Sequence, residues 1–268
     1  MAAGATRYRE DYEAYGFSRT HKQAVSWVAP GSRVLEVGCA SGYLGRALIE
    51  KGCQVFGLEI DPEAAGEARQ NGLVVREGSL EDPSFRASIT DKYDFVLATD
   101  VLEHLKEPAL VLEDFKRWLG PGGHAIIAVP NIAAWKMRHQ LFFRGDFEYQ
   151  ETGLLDRTHL HFFTWETLHK LLDRQEWAIV DTMVEDWQLP IASTVLVDWP
   201  GRMSRYWDRR RANNHGVVAS ATGLFSRLWL RAQHGGEKAA FALARNWPNL
   251  CASHIAVLLR PPGPVARS

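Results

Sequence analysis

The chain has 268 residues, of which 46% are hydrophobic and 24% are charged, and its formal net charge is -1. This composition excludes a disordered protein, because enough apolar side chains are present to bury a core. The near-neutral charge also argues against nucleic acid as a partner, since no global field draws the chain to a polyanion. The length suits one large domain with an insertion better than two full domains.

Cysteine usage and the absence of long apolar segments predict a cytoplasmic protein. The three cysteines (Cys39, Cys53 and Cys251) are odd in number and form no CxxC pair, which indicates neither a disulfide framework nor a zinc site. The first residues contain no apolar stretch typical of a signal peptide, and no run reaches the ~18 apolar residues of a spanning helix.

Short apolar runs alternate with stretches of helical period, which predicts an α/β fold with a doubly wound, mainly parallel sheet. Seven strands are predicted, at Arg33 to Val37, Gln54 to Glu59, Leu73 to Arg76, Tyr93 to Thr99, His124 to Val129, Trp177 to Val184 and His254 to Leu259. Helices are predicted at about Ser18 to Val28, Gly42 to Lys51, Asp61 to Asn71, Pro108 to Leu119 and Thr164 to Arg174. Asp61 can cap the third of these, with Pro62 in its first turn. Thr164 can cap the last in a capping box, with Thr167 or Glu166 near the third position.

A helical insertion is predicted before the last strand. The core would comprise residues 1–185, the insertion 186–253, and the last strand with the tail 254–268. Between residues 201 and 232 the insertion has seven arginines and one acidic residue, interleaved with aromatic residues. Three hypotheses remain open for this basic stretch: a lid over a substrate, a peripheral contact with phosphate or lipid headgroups, and a solvated face with a homo-oligomer contact.

A glycine turn follows the first predicted strand. The sequence VLEVGCASG places Glu36 near the carboxyl end of that strand and Gly38 and Gly42 around a tight turn into the next helix. Glycines allow the backbone to approach a ligand closely, and ligands of open α/β sheets bind at this edge. Glu59 ends the second strand, where a carboxylate can accept both hydroxyl protons of a ribose.

The spacing of the glycines favours an adenosyl amino acid over a dinucleotide. A dinucleotide fingerprint that starts at Gly38 would need glycine at positions 40 and 43, where this chain has Ala40 and Tyr43. A ligand that ends in an amino acid instead needs an acceptor for its ammonium group, and Glu36 lies close enough to help. A nicotinamide oxidoreductase remains the weaker alternative.

Four motifs carry a family resemblance over about residues 20 to 185. VLEVGCASGYLGRAL, GLEIDPEAA, YDFVLATDVLEHL and LGPGGHAIIAVPN resemble, in order and spacing, the motifs of class I S-adenosylmethionine-dependent methyltransferases. The resemblance implies S-adenosyl-L-methionine as cofactor and a seven-stranded sheet whose last strand is antiparallel. Two positions depart from the family pattern: Ala40 stands where many relatives have glycine, and Ser79 where many have aspartate.

The same resemblance implies the cofactor-binding residues. Glu36, Gly38 and Gly42 would line the methionine part, and Glu59 would hold the ribose. Ser79 and Leu80 would flank the adenine, and Asp100 would lie beside the methionine portion. Cys39, Ile60 and Val101 complete the predicted set.

A second resemblance concerns the reacting side. FEYQETGLLDRTHLHFFT, from Phe147 to Thr164, is similar to a segment of small-molecule methyltransferases that include ubiquinone-pathway O-methyltransferases and enzymes of polysaccharide and natural-product pathways. His104 and His159 are the candidate catalytic residues, as acceptors of a proton from a hydroxyl. No metal is predicted, because the HxH pair of His159 and His161, without a clear third ligand, falls short of the usual site.

Several of these residues have a second interpretation. His104 would otherwise be a histidine at a helix start that is capped by its neighbours, and His159 a hydrogen-bonded histidine that holds the loop to the sheet. His161 is expected to be structural. Asp156 and Arg157 would form either an internal ion pair or a substrate clamp.

The predicted function is methylation of a hydroxyl on a small molecule or on a sugar precursor, which could be phosphorylated or lipid-linked. N- or C-methylation of a natural-product intermediate is the first alternative. The second is a non-catalytic module that binds S-adenosylmethionine and acts through its insertion.

Overall fold

A computed structural model describes residues 17–186 and 248–263 of the chain. The strands are β1 (Arg33–Val37), β2 (Gln54–Glu59), β3 (Val74–Glu77), β4 (Tyr93–Thr99), β5 (Leu119–Pro130), β6 (Ala178–Asp186) and β7 (Ala252–Arg260). The helices are α1 (Arg19–Trp27), α2 (Tyr43–Glu50), α3 (Pro62–Gln70), α4 (Pro83–Ala87), α5 (Pro108–Trp118), α6 (Trp135–Arg144), α7 (Trp165–Arg174) and α8 (Pro248–Cys251). A short 3₁₀ turn, Leu102–His104, follows β4.

The strands form one seven-stranded sheet in the order β3-β2-β1-β4-β5-β7-β6. Neighbours from β3 to β5 are parallel, whereas β7 runs antiparallel to β5. The chain reverses direction across the sheet between β1 and β4, which is the switch point where open α/β sheets bind ligands. The predicted fold class, including the antiparallel last strand, is confirmed.

The central strands are apolar throughout because helices cover both of their faces. In β4, Val96 and Ala98 belong to the core cluster that also contains Phe115 and Trp118 of α5. Leu97 points the other way, into the cluster on the opposite face that contains Leu48 of α2. This alternation follows from the two-residue period of a strand.

Asp-Pro pairs begin two of the helices. The Asp61 carboxylate accepts from the backbone N–H of Glu63 at 2.9 Å, with Pro62 in the first turn of α3. The Asp82 carboxylate accepts in the same way from Ser84, at 2.8 Å, before α4. The sequence analysis used this signal for α3 and missed it for α4, which has only five residues. It also missed α6 and the 3₁₀ turn after β4.

The chain divides into two compact units. The first comprises Met1–Ile132, Glu148–Met183 and His254–Ser268, and the second comprises Ala133–Phe147 and Val184–Ser253. Every residue of the candidate site below belongs to the first unit. The basic stretch from 201 to 232 and most of the predicted insertion lie outside the described residues. The predicted division of the chain at 185 and 253 stays a prediction.

Candidate active site

The turn after β1 requires glycine at two positions, Gly38 and Gly42. Gly38 donates to the carbonyl of Leu58 at 2.8 Å. Gly38 and Gly42 have φ values of +68° and +77°. A Cβ on Gly38 would lie 2.7 Å from Val101 Cγ2, and one on Gly42 would lie 2.9 Å from Ala68. Glycine is therefore required both by the left-handed conformation and by the close approach of neighbours.

The Glu59 side chain links this turn to the end of β2 by hydrogen bonds. Its Oε2 accepts from the backbone N–H of Ala40 at 2.9 Å, and its Oε1 accepts from Ile60 and Asp61 at 2.8 and 2.9 Å. A carboxylate has about four lone-pair positions, so acceptor capacity remains for a ribose hydroxyl. Sequence analysis assigned this residue to a ligand and did not foresee that it also orders the turn.

Glu36 is a buried acid with spare acceptor capacity. It is 3% exposed, and within the described ranges its Oε2 has no hydrogen-bond partner. Burial raises the pKa of Glu36 to about 8; the charge of Glu59 adds to the increase, and the backbone of Gly45 opposes it. A buried acceptor beside the glycine turn fits the ammonium group of an adenosyl amino acid, which would favour the charged carboxylate.

All the predicted cofactor-binding residues stay predictions, and the structure gives the surroundings of four more of them. The side chain of Cys39 is buried in the core, its N–H donates to the Leu58 carbonyl at 3.1 Å, and its carbonyl accepts from Gly42 at 2.8 Å. Ile60 is exposed. Ser79 Oγ accepts from the backbone N–H of Glu81 at 3.1 Å, and the Leu80 carbonyl accepts from Arg86.

Asp100 lies close to two histidines, His21 and His254, that are distant from it in the sequence. His21 Nε2 lies 3.6 Å from its Oδ2, and His254 Nε2 lies 3.8 Å from its Oδ1. Burial acts to raise the pKa of Asp100, but the histidines His21, His254 and His104 outweigh it and hold the pKa below its usual value. His21 is in α1 and His254 in β7, so only the tertiary fold reveals this contact.

Glu103, His104 and His159 form a second polar cluster next to Asp100. The rings of His104 and His159 are 4.8 Å apart between centroids, and His159 Nε2 is 4.0 Å from Glu103 Oε1. The Glu103 carbonyl accepts from the backbone N–H groups of Leu160 and His161 at 2.7 and 3.0 Å. These bonds fasten the loop that carries His159 to the 3₁₀ turn. Sequence analysis missed Glu103, although it adjoins His104 in DVLEHL.

The remaining residues of that loop have structural contacts. His161 Nε2 lies 3.2 Å from the carbonyl oxygen of Lys106. Arg157 pairs with Glu151, and Asp156 accepts from the backbone N–H of Thr158 at 2.8 Å. The alternative of an internal Asp156–Arg157 ion pair is therefore wrong, since each side chain has another partner.

A family model described as a methyltransferase domain matches residues 8–182, about two thirds of the chain. The chain belongs to this family. The family prediction, a class I S-adenosylmethionine-dependent methyltransferase, is confirmed. Within the described ranges, none of the methyltransferase's helices is both long enough and apolar enough to cross a membrane.

Curated relatives match part of the chain. It is 30% identical over 105 residues to the ubiquinone biosynthesis O-methyltransferase of Aeromonas salmonicida, which is 38% of this chain and 44% of that protein. It is 34% identical over 107 residues to the protein of the same name from Xanthomonas oryzae, with the same shares covered. The chain thus spans less than half the length of these curated relatives.

Solved structures share the fold. A SAM-dependent methyltransferase from Archaeoglobus fulgidus matches with a TM-score of 0.56 and 15% identity, over 94% of this chain and 98% of that one. Magnesium protoporphyrin IX methyltransferase from Synechocystis, solved with bound S-adenosylhomocysteine, matches with a TM-score of 0.53 and 19% identity, over 69% and 90%. At this identity the likeness concerns the fold alone.

Proposed function

We propose that the methyltransferase transfers a methyl group from S-adenosylmethionine to a hydroxyl of a small molecule or of a sugar precursor. The observation that carries the proposal is the polar cluster of Asp100, Glu103, His104 and His159 after β4, at the sheet edge where the glycine turn also lies. S-adenosylmethionine supplies an electrophilic methyl group on a sulfonium. The chain must hold an acceptor oxygen in line with it and remove a proton.

For the donor side, we assign roles to the residues at the turn. Gly38 and Gly42 let the backbone approach the ligand, Glu36 accepts from its ammonium group, and Glu59 accepts from its ribose. Ser79 and Leu80 flank the adenine, and Asp100 with Val101 borders the methionine part. The spare acceptor capacity of Glu36 and Glu59 supports this assignment.

For the acceptor side, we assign proton removal to His104 and His159. Thr158 Oγ1 donates its hydrogen to Asp156 at 2.7 Å, so it acts as an acceptor toward His104 Nδ1, which is 3.1 Å away. The Thr158 carbonyl oxygen, 3.2 Å from the same nitrogen, is also an acceptor. His104 Nδ1 therefore carries a hydrogen, and in the neutral imidazole Nε2 keeps a lone pair for chemistry.

The class of acceptor rests on two observations. The curated relatives are named for O-methylation in ubiquinone biosynthesis, which favours oxygen over nitrogen or carbon as the acceptor atom. The seven arginines between residues 201 and 232 favour an anionic acceptor, since guanidinium groups match phosphate geometry.

Cytoplasmic localisation stays an expectation, based on the three cysteines, which suggest no disulfide framework.

Product analysis tests the proposal directly. The full chain is incubated with radiolabelled S-adenosylmethionine and hydroxyl probes of two kinds: catechol with 3,4-dihydroxybenzoate, and a nucleoside-diphosphate sugar. Transfer of label to a hydroxyl of at least one probe is expected. Binding of S-adenosylhomocysteine without label transfer to either kind would contradict the proposal and favour the non-catalytic module, and transfer to amines alone would favour N-methylation.

A further inference from the structure

Glu103 is a buried carboxylate whose protein contacts do not compensate its burial. The residue is 0% exposed, and within residues 17–186 and 248–263 neither Oε1 nor Oε2 has a hydrogen-bond partner. Placing such a group in a low-dielectric interior costs several kcal/mol unless a proton or a cation neutralises it. Burial raises the pKa of Glu103 well above its usual value, and the charge of Asp100 adds to this shift. The carboxyl is therefore either protonated or paired with a positive charge, and the imidazole of His159, 4.0 Å away, is its one ion-pair partner among the described residues.

Two imidazoles lie beside this carboxylate at distances that suit shared coordination. One ligand atom each from Glu103, His104 and His159 can be chosen so that all lie within 4.8 Å of one another. Ligands of a tetrahedral zinc ion, at about 2.0–2.2 Å from it, are roughly 3.4 Å apart, so side-chain adjustments of about an ångström would complete the geometry. His159 is 7% exposed, and its Nδ1 has no hydrogen-bond partner among the described residues.

The surroundings of His104 resemble the outer contacts of metal-binding histidines. Ligating imidazoles usually donate their other N–H to an oxygen, which sets the tautomer and the orientation of the ring. His104 donates from Nδ1 to Thr158, and the hydroxyl of Thr158 in turn donates to Asp156. The backbone hydrogen bonds from Leu160 and His161 to the Glu103 carbonyl hold the loop next to the 3₁₀ turn. The backbone that carries the three ligands is thus held in place before any ion binds, and only side-chain adjustments are needed.

From this arrangement we infer that Glu103, His104 and His159 bind one divalent transition-metal cation such as Zn²⁺, with a coordination position left for the acceptor oxygen. Two histidines and one glutamate are a known zinc ligand set, and three protein ligands are typical of sites that keep an open position. The prediction of no metal concerned the pair His159 and His161, which lacks a third ligand. In the fold, His159 is instead grouped with Glu103 and His104.

The inference deepens the proposed function at one step. A hydroxyl bound to the cation loses its proton more readily, as metal-bound water does. The proton passes to solvent water, the oxygen forms the new C–O bond, and the C–S bond breaks with its electron pair retained on sulfur. In the loaded protein, His104 and His159 would act as ligands instead of as proton acceptors. The binding of the cation itself does not rest on the proposed function.

Metal titration of the protein alone tests the inference. Tag-free full-length chain is stripped with a chelator, dialysed and titrated with zinc chloride, and its metal content is measured after gel filtration. One ion per chain is expected for the wild type and for the matched control His169→Gln, whose imidazole lies on α7. Glu103→Gln and His159→Gln should bind zinc at least about tenfold more weakly.

Thermal unfolding of the same proteins separates metal binding from folding. In chelator, Glu103→Gln should unfold at the same temperature as the wild type or higher, because a neutral amide replaces the buried acid. Added zinc should then raise the unfolding temperature of the wild type and of His169→Gln only. If Glu103→Gln does not fold, His159→Gln carries the same comparison.

Three outcomes would overturn the inference: no bound ion, equal zinc affinity in all four proteins, or methyl transfer unchanged after metal removal. The proposed function can fail without this inference. If one zinc ion binds through Glu103 but no label is transferred to any hydroxyl probe, the proposed function is contradicted and the metal site stands.

Discussion

At the scale of single residues, the turn after β1 contains a departure from the family pattern with a structural consequence. Ala40 has a φ of +47°, in the left-handed region that favours glycine. The N–H of Ala40 donates to Glu59, so the turn holds this conformation although the side chain disfavours it. The backbone conformation of this alanine is not encoded locally, because its φ is set by the closure of the whole turn.

Ala40→Gly should stabilise the fold slightly. Release of the left-handed alanine contributes about 1–2 kcal/mol, and the greater freedom of glycine in the unfolded chain opposes it by about 0.4–1 kcal/mol. We expect a net gain of about 0.5–1 kcal/mol in the free energy of unfolding, measured with urea. The control Ala87→Gly, at an exposed helical position, should lose stability. Equal losses in both variants would contradict a strained Ala40.

Glu36 should make stability depend on pH. Its pKa is about 8 in the folded chain and near 4.5 when unfolded, so the folded state holds the proton more tightly. The resulting stabilisation is complete below pH 4.5 and is lost as the pH rises to about 8, by at most about 1.4 kcal/mol per pH unit. Glu36→Gln cannot ionise and should lack this slope, whereas Glu50→Gln, at an exposed position, should keep it.

Urea unfolding at pH 5, 6, 7 and 8 measures this difference. Parallel profiles for the wild type and Glu36→Gln would mean that the acid is already ionised in the fold. The ammonium of S-adenosylhomocysteine, placed beside Glu36, should release the same proton. Its affinity should therefore increase between pH 6 and pH 8 in the wild type more than in Glu36→Gln.

At the scale of elements, the loop from 156 to 161 is hydrogen-bonded to the 3₁₀ turn after β4. Backbone bonds to the Glu103 carbonyl join them, and the capping box of Thr164 and Thr167 begins α7 directly after the loop. The capping box was predicted from sequence, since its signal is local. The pairing of the loop with the turn was not, because about 55 residues separate the two segments.

Substitutions in the loop and in the 3₁₀ turn should distinguish residues with a catalytic role from residues with a structural one. His104→Ala and His159→Ala should each lower kcat by about 10²-fold or more while S-adenosylhomocysteine still binds, whether the imidazoles accept a proton or hold a cation. His161→Ala, which loses a contact with the Lys106 carbonyl and a ring contact with Phe163, is the matched control and should retain most activity. Steady-state kinetics with the best hydroxyl probe, together with calorimetric titration of S-adenosylhomocysteine, make the comparison. A loss of only a few-fold in both variants would exclude both roles.

At the scale of the whole molecule, the topology places the turn, Glu59 and Asp100 at one edge of the sheet. The carboxyl ends of β1, β2 and β4 meet there because these strands are parallel neighbours. The antiparallel β7 brings His254 to the same place from the far end of the sequence. A ligand at this edge would therefore contact residues from most of the length of the first unit.

Ligand binding at this edge should stabilise the whole fold. S-adenosylhomocysteine at 100 times its dissociation constant should contribute about 2.7 kcal/mol to the free energy of unfolding. NAD at the same concentration should contribute nothing, because Ala40 and Tyr43 replace the glycines that a pyrophosphate needs. Thermal unfolding with each ligand measures the difference, and Glu59→Ala is the control that should lose the gain. A shift with NAD would instead support an oxidoreductase.

The sequence by itself determined the features that depend on local chemistry. Alternating apolar runs, Asp and Thr caps and glycine positions predicted the sheet, most helices and the turn, because strand burial, capping and positive φ each involve neighbours along the chain. Only the tertiary structure decided which polar groups meet. The contact of Asp100 with His21 and His254, the double use of Glu59 and the pairing of Glu103 with His159 depend on strand order and loop closure, which no local pattern encodes.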